Sequence, residues 1–143
     1  GEIGTDMSRW PDAGHFASWL RLTPRTDITG GKPKNRRILP TQSRATQLLR
    51  MAALNAGRTA TGLGAFYRTL AYKKGKAKAI VATAHKLARI IYTMLANRTA
   101  FQEINAQEWE ERARQHAIKA VIKRATNLGL QVIEPAATAT EGA

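Results

Sequence analysis

Apolar residues along this chain recur mostly at three- and four-residue intervals. In "PDAGHFASWL", Phe16, Trp19 and Leu20 stand at i, i+3 and i+4. That spacing predicts a short helix opening after Pro11-Asp12 and burying its aromatics. "LTPRTDITGGKPKNRRIL" follows, with two prolines and two adjacent glycines; it predicts a break in regular structure to about Pro40. Thr41 is then a candidate cap for "QSRATQLLRMAALNAGR", a helix with Leu48, Leu49, Ala52 and Ala56 on its apolar face and Gly57 as its stop. "GLGAFYRTLAYKKG" predicts a shorter helix burying Phe66, Leu70 and Tyr67.

The clearest period is in "KAKAIVATAHKLARIIYTMLANR". Ile80, Ala84, Leu87, Ile91 and Met94 or Leu95 make one stripe, with Lys78, Lys86 and Arg89 on another side. The last helix spans "NAQEWEERARQHAIKAVIKRATNLGL". Asn105 is its candidate cap, and Glu108–Arg112 and Glu110–Arg114 are i,i+4 pairs of favourable orientation. Its inward face is expected at Trp109, Ala113, Ala117, Ala120 and Val121, and its end at Gly129. "LQVIE" would add one short strand, and "PAATATEGA" reads as a disordered tail. The expected fold class is all-α or nearly so. It has about five helices, with one long basic glycine-containing loop between the first two. Without strand–helix alternation, nothing points to a nucleotide-binding α/β sheet.

Charge changes this picture from a plain helical domain to one with a partner. The chain has 143 residues and a net charge of +13, about one domain's worth at ~100–200 residues. Charge so far from zero opposes compactness and suits a polyanionic partner. The acids are also unevenly spread. Between Ile28 and Gln102 there is no Asp or Glu, while fifteen Lys and Arg fall in that window. A solvated surface normally mixes both signs, so nucleic acid is the expected partner.

Other classes fall away. There is no cysteine, which removes disulfides and thiol metal sites and makes the cytoplasm the default compartment. His15, His85 and His116 stand in no metal-ligand spacing. "GEIGTDMSRW" is not a signal peptide, and "AIVATAHKLARIIYTML" is broken by His85, Lys86 and Arg89, so no membrane span is expected. The chain begins with Gly1 rather than Met, as a fragment or processed piece would.

Two-metal phosphoryl chemistry needs clustered carboxylates. The central 75 residues have none, and the outlying acids form no recognisable set. This chain alone is therefore not expected to be a metal nuclease, and no metal ligand is assigned in it. Lys32 is followed by Pro33, so "ITGGKPKNRR" fails the Walker frame. What remains is an anion grip. Gly30 and Gly31 allow close backbone approach, and Lys32, Lys34, Arg36 and Arg37 supply charge. The alternative is a flexible solvated linker.

Among hydroxyls, Ser18 falls beside aromatics expected to be buried, and Ser43 in a helical first turn. Tyr67 and Tyr92 are explained by packing. Thr29 differs: it sits directly before Gly-Gly among cations able to hold a scissile phosphate. An aliphatic hydroxyl needs a base or metal to become a nucleophile, and nothing near it in sequence supplies one.

Those gaps fit a resemblance. "EIGTDMSRWPDAGHFASWLRLTP", "TGGK", "SRATQLLRMAAL", "GAFYRTL" and "ATAHKLARIIYTML" resemble, in order and spacing, the carboxy-terminal transposase domain of the 110/1111 family of bacterial insertion-sequence transposases. The resemblance runs from about Glu2 to Arg98 and more weakly through the last helix. It implies a partner domain of RNase H-like fold, absent from this sequence, that carries catalytic acids and a divalent metal, Mg. It also implies DNA as substrate, an element-encoded guide RNA, a homo-oligomer, and a hydroxyl nucleophile, usually Ser, at the position of Thr29. The family's usual Gly before Leu-Thr-Pro is Arg21 here. The expected organisation is a transposase domain over 1–104, an extended basic helix with a short strand over 105–134, and a disordered tail over 135–143.

The site expected on this basis has Thr29 as nucleophile. Arg25, Gly30, Gly31, Lys32, Lys34, Arg36, Arg37, Arg44, Lys86 and Arg89 bind nucleic acid. The competing readings are a non-enzymatic helical nucleic-acid-binding module or a decayed transposase remnant, which need no special role for Thr29. A membrane-surface protein using Lys76, Lys78, Lys86 and Arg89 is a third.

Overall fold

Asp12 starts the first helix. Its carboxylate accepts from the backbone N–H of Gly14 and His15 at 2.7 and 2.9 Å, which satisfies donors that helix geometry leaves unpaired. In the computed structural model, residues 2–38, 40 and 43–133 are described, with the backbone alone at residues 26 and 33–36. Among the described residues the chain is all-α apart from one hairpin. Its order is α1 (Ala13–Trp19), β1 (Arg25–Thr29), β2 (Lys32–Arg37), α2 (Arg44–Ala56), α3 (Gly62–Lys74), α4 (Lys76–Asn97) and α5 (Ala106–Asn127). Two compact units divide it, Gly1–Trp109 and Glu110–Ala143.

In the first unit, α1 and α2 pack on α4, and α3 packs on both α4 and α2. Phe16, Leu20 and Leu22 are fully buried, with Ala45, Leu49 and Ala53 from α2 and Ala84 and Ala88 from α4. Trp10, Phe16 and Tyr92 form an aromatic cluster, and the Tyr92 hydroxyl donates to the Trp10 carbonyl at 2.9 Å. α4 is the one described helix long and apolar enough to cross a membrane by length and composition; it is also the helix on which α1, α2 and α3 converge. Gly64 lets α3 start tightly, because a Cβ there would overlap the Thr59 and Ala56 carbonyls.

Several local expectations are corrected. The run between α1 and α2 is not irregular: it folds into β1 and β2. Ser43, rather than Thr41, caps α2, its hydroxyl accepting from Thr46 N–H; Thr41 itself lies outside the described residues. The buried face of α2 is rotated from the expected one. Ala45, Thr46, Leu49 and Ala53 are inside, while Leu48 is 64% exposed and Ala52 is exposed. In α3, Tyr67 is buried, and Phe66 and Leu70 only partly so. Trp19 is 43% exposed, because α1 is seven residues long and α4 covers only one side of it.

In α5, Asn105 caps the first turn by accepting from Glu108 N–H at 2.7 Å, and Trp109 is partly buried beside Phe66. The rest of its expected inward face, Ala113, Ala117, Ala120 and Val121, is exposed, and no residue of the helix is buried. Residues 130–133 form no strand. The remainder of "LQVIE" and the expected tail lie outside the described residues.

Candidate nucleic-acid interface

The hairpin is built by its turn. Gly30 and Gly31 hold φ of +60° and +74°, the positive values that a two-residue type I′ turn requires and glycine adopts without steric cost. Thr29 and Lys32 face each other as the closing pair. Toward the base, Asp27 pairs with Asn35 and Arg25 with Arg37. Lys34 is the extra residue of a bulge opposite the step from Asp27 to Ile28.

The foot of the hairpin is tied to the helices. α1 ends with Arg21 in the left-handed region, φ +54°, so that Leu22 N–H returns to the Ala17 carbonyl at 3.0 Å and Leu22 drops into the core. The Thr46 hydroxyl, fully buried, donates to the Leu20 carbonyl at 2.8 Å. Arg21 Nη1 reaches the Pro40 carbonyl at 2.8 Å. Glu2 accepts from Ala45 N–H at 2.7 Å and adds an acidic group to the start of α2. The hairpin therefore leaves from a platform where the segment after α1, at Leu20–Leu22, is tied to the start of α2.

Above that platform most described side chains of the hairpin are exposed. Arg25, Ile28, Thr29, Lys32 and Arg37 are exposed, Ile28 by 70%. None of the described side chains of the hairpin is buried, and a two-stranded hairpin without a covered face is marginal in water. Its charges add to the strain, with five cations between Arg25 and Arg37 against Asp27 alone. Arg25 and Arg37 lie directly opposite, and like charges so placed are destabilising. Asp27 relieves Arg25 in part, with its carboxylate 3.5 Å from the Arg25 Nε. A polyanion laid along the strands would relieve the remainder.

Arg25, Asp27 and Thr29 alternate onto one face of β1. No described residue hydrogen-bonds the Thr29 hydroxyl. Nor do three His, Asp or Glu residues gather anywhere among the described residues.

The remaining expected contacts separate. Arg44, exposed, opens α2 beside the hairpin foot. Lys86 and Arg89 instead line a cavity of about 910 Å³ on α4, with Ile90, Phe101 and Trp109, and no described hairpin side chain lines it. Lys86 Nζ sits 4.3 Å from the centroid of Phe66, and burial lowers its pKa from the ordinary lysine value. Next to it, His85 is held below the usual histidine value by burial and then by Arg89. A half-buried lysine over an aromatic ring is better placed for that ring than for a phosphate.

One basic surface lies outside the expected nucleic-acid contacts, although two of its lysines, Lys76 and Lys78, belong to the membrane-surface alternative. Tyr72 is 92% exposed, and Lys73, Lys74, Lys76 and Lys78 surround the corner at Gly75 where α3 turns into α4. The run "AYKKGKAK" carried the signal, an aromatic within a cluster of lysines.

Residues 1–68 match the model of the transposase IS116/IS110/IS902 family. No curated protein and no solved structure matches the chain. The matched stretch takes in α1, the whole hairpin, α2 and the first half of α3. The match over residues 1–68 supports a carboxy-terminal transposase domain of the transposase IS116/IS110/IS902 family.

Proposed function

We propose that the hairpin is the DNA-gripping element of a transposase, and that Thr29 is its nucleophile. A role in transposition follows from the family. The observation that carries the finer reading is the placement of Thr29. Its exposed hydroxyl stands at the tip of a solvent-exposed hairpin, against a Gly-Gly turn that admits close backbone approach, above a ladder carrying five cations. Arg25, Lys32, Lys34, Arg36 and Arg37 would hold and neutralise phosphates, with Arg44 at the foot. These are backbone contacts, so the chain by itself would bind with weak sequence preference.

In the cleavage step the Thr29 Oγ attacks phosphorus, a threonyl phosphodiester forms, and the deoxyribose oxygen leaves. The Thr29 proton must pass to a base that none of the described neighbours provides. That base, a guide RNA, a divalent metal and other protomers all belong to this proposal as parts supplied from outside the described residues. The cytoplasm is the compartment this activity implies.

A transposase carrying this chain as its carboxy-terminal part tests the reading directly. Thr29→Ala is expected to keep DNA binding and abolish strand exchange, and Thr29→Ser to retain exchange. Exchange by the Ala variant would remove Thr29 from the chemistry. A second reading, a non-enzymatic nucleic-acid-binding module, draws on the lack of any described hydrogen-bond partner for the Thr29 hydroxyl. It predicts that neither substitution changes any measurable activity.

A further inference from the structure

α5 lies outside the family match, and it is a helix of 22 residues, about 33 Å long, that buries none of them. Val121 is 58% and Ile122 44% exposed. A lone helix of this length is marginal in water, because most helical stability comes from covering an apolar face. The pattern of residues on α5 indicates what covers it.

Charge is segregated along the helix. Glu108, Glu110 and Glu111 fall near its start. From Arg112 to Ile133 there is no Asp or Glu, while Arg112, Arg114, Lys119, Lys123 and Arg124 are all basic. One exposed stripe consists of Glu110, Ala113, Ala117, Val121 and Arg124. Its spacing runs three, four, four, three, identical from either end, and at 3.6 residues per turn the five fall within an arc of about 80°.

We propose that α5 pairs with α5 of a second copy of this chain, antiparallel, with the two-fold axis at Ala117. In that arrangement Ala117 meets Ala117, Ala113 meets Val121, and Glu110 meets Arg124, each contact occurring twice as an isologous interface demands. The alanines at the centre let the helix axes approach closely. A parallel pair would set Glu110 on Glu110 and Arg124 on Arg124, so the charges select the antiparallel sense. A polyanion would be drawn to the basic two thirds but repelled by Glu110 at the head of the same stripe, and it would leave Ala113, Ala117 and Val121 uncovered.

The chain contains no cysteine, so single-cysteine variants of the whole chain report the geometry cleanly. Under mild oxidation Ala117→Cys is expected to form a covalent dimer. Ala125→Cys, whose mate would lie about 24 Å away at 1.5 Å per residue, is expected to stay monomeric. By light scattering, Arg124→Glu and Glu110→Arg should each weaken the dimer about tenfold or more, and the combined swap should restore it. Circular dichroism checks that each variant keeps its helices. Four results would overturn the pairing: a monomeric parent chain, cross-linking of both cysteine variants, failure of the swap to rescue, or an Arg124→Glu variant that loses nucleic-acid binding with its mass unchanged. None of these touches Thr29, so the outcome is independent of the transposase reading.

Discussion

Arg21 holds the two ends of the hairpin platform together: from a backbone at φ +54° its guanidinium donates to the Pro40 carbonyl nineteen residues away, at 2.8 Å. The left-handed conformation costs a residue with a side chain about 1 kcal/mol, and glycine is free of that cost. The resemblance places a glycine here, and the geometry gives the physical reason. Arg21→Ala keeps the strain and loses the tie, whereas Arg21→Gly loses both. Arg21→Gly is therefore expected to be more stable than Arg21→Ala by about 1 kcal/mol in urea unfolding. The opposite order would mean that backbone strain at this corner is negligible.

Arg37 faces Arg25 across the ladder, a pairing that favours a bound anion over the free fold. Arg37→Thr removes like-charge repulsion and adds a good strand former. The free chain should gain a few tenths of a kcal/mol. Its affinity for a short DNA duplex should fall for every sequence tested, with the salt slope reduced by about one. Stability and affinity moving in the same direction would count against a phosphate role for this side chain.

Thr83 is fully buried in α4, and its hydroxyl has no hydrogen-bond partner among the described residues. Burying an unpaired hydroxyl costs about 1–3 kcal/mol, and valine has nearly the same shape. Thr83→Val is expected to raise the unfolding midpoint, by the equivalent of about 1 kcal/mol. A lowered midpoint would show that the hydroxyl is satisfied in solution.

His85 supplies a pH signature. Burial, then Arg89, depresses its folded pKa. As pH falls through the ordinary histidine value of about 6.5, the unfolded chain takes up a proton that the folded chain refuses. The unfolded state then binds more protons, so stability is full above that value and is lost progressively below it. Between about pH 7.5 and 5.5 the parent chain should lose more thermal stability than His85→Gln. Equal losses would place the imidazole in water.

The helices were readable from spacing because an amphipathic period is a local property. In α4 the helix forms as its period predicts, but of the expected stripe only Ala84 is fully buried: Ile80, Leu87 and Ile91 are partly covered, and Ala79, Thr83 and Ala88 complete the inner face. The hairpin was not read, because Pro33 and a dense run of cations argue against a strand when no face of it is apolar. It forms because Gly30-Gly31 makes a type I′ turn and the Arg21 and Thr46 hydrogen bonds fix its feet, and those bonds span nineteen and twenty-six residues. Lys86 and Arg89 shared a helix side in the sequence, but only the packing of α3 and the segment after α4 places them in a cavity away from Thr29.

By itself, the sequence determined the helical class, the basic character and the position of Thr29 before two glycines, since these depend on local spacing and composition. Tertiary structure decided which faces are covered. Leu48 and Val121 are as apolar as any core residue, yet both are exposed, because burial depends on which elements meet and not on periodicity alone. It also decided that Thr29 stands at the tip of a hairpin, a placement that needs the ties from Thr46 to Leu20 and from Arg21 to Pro40, which no single stretch of sequence contains.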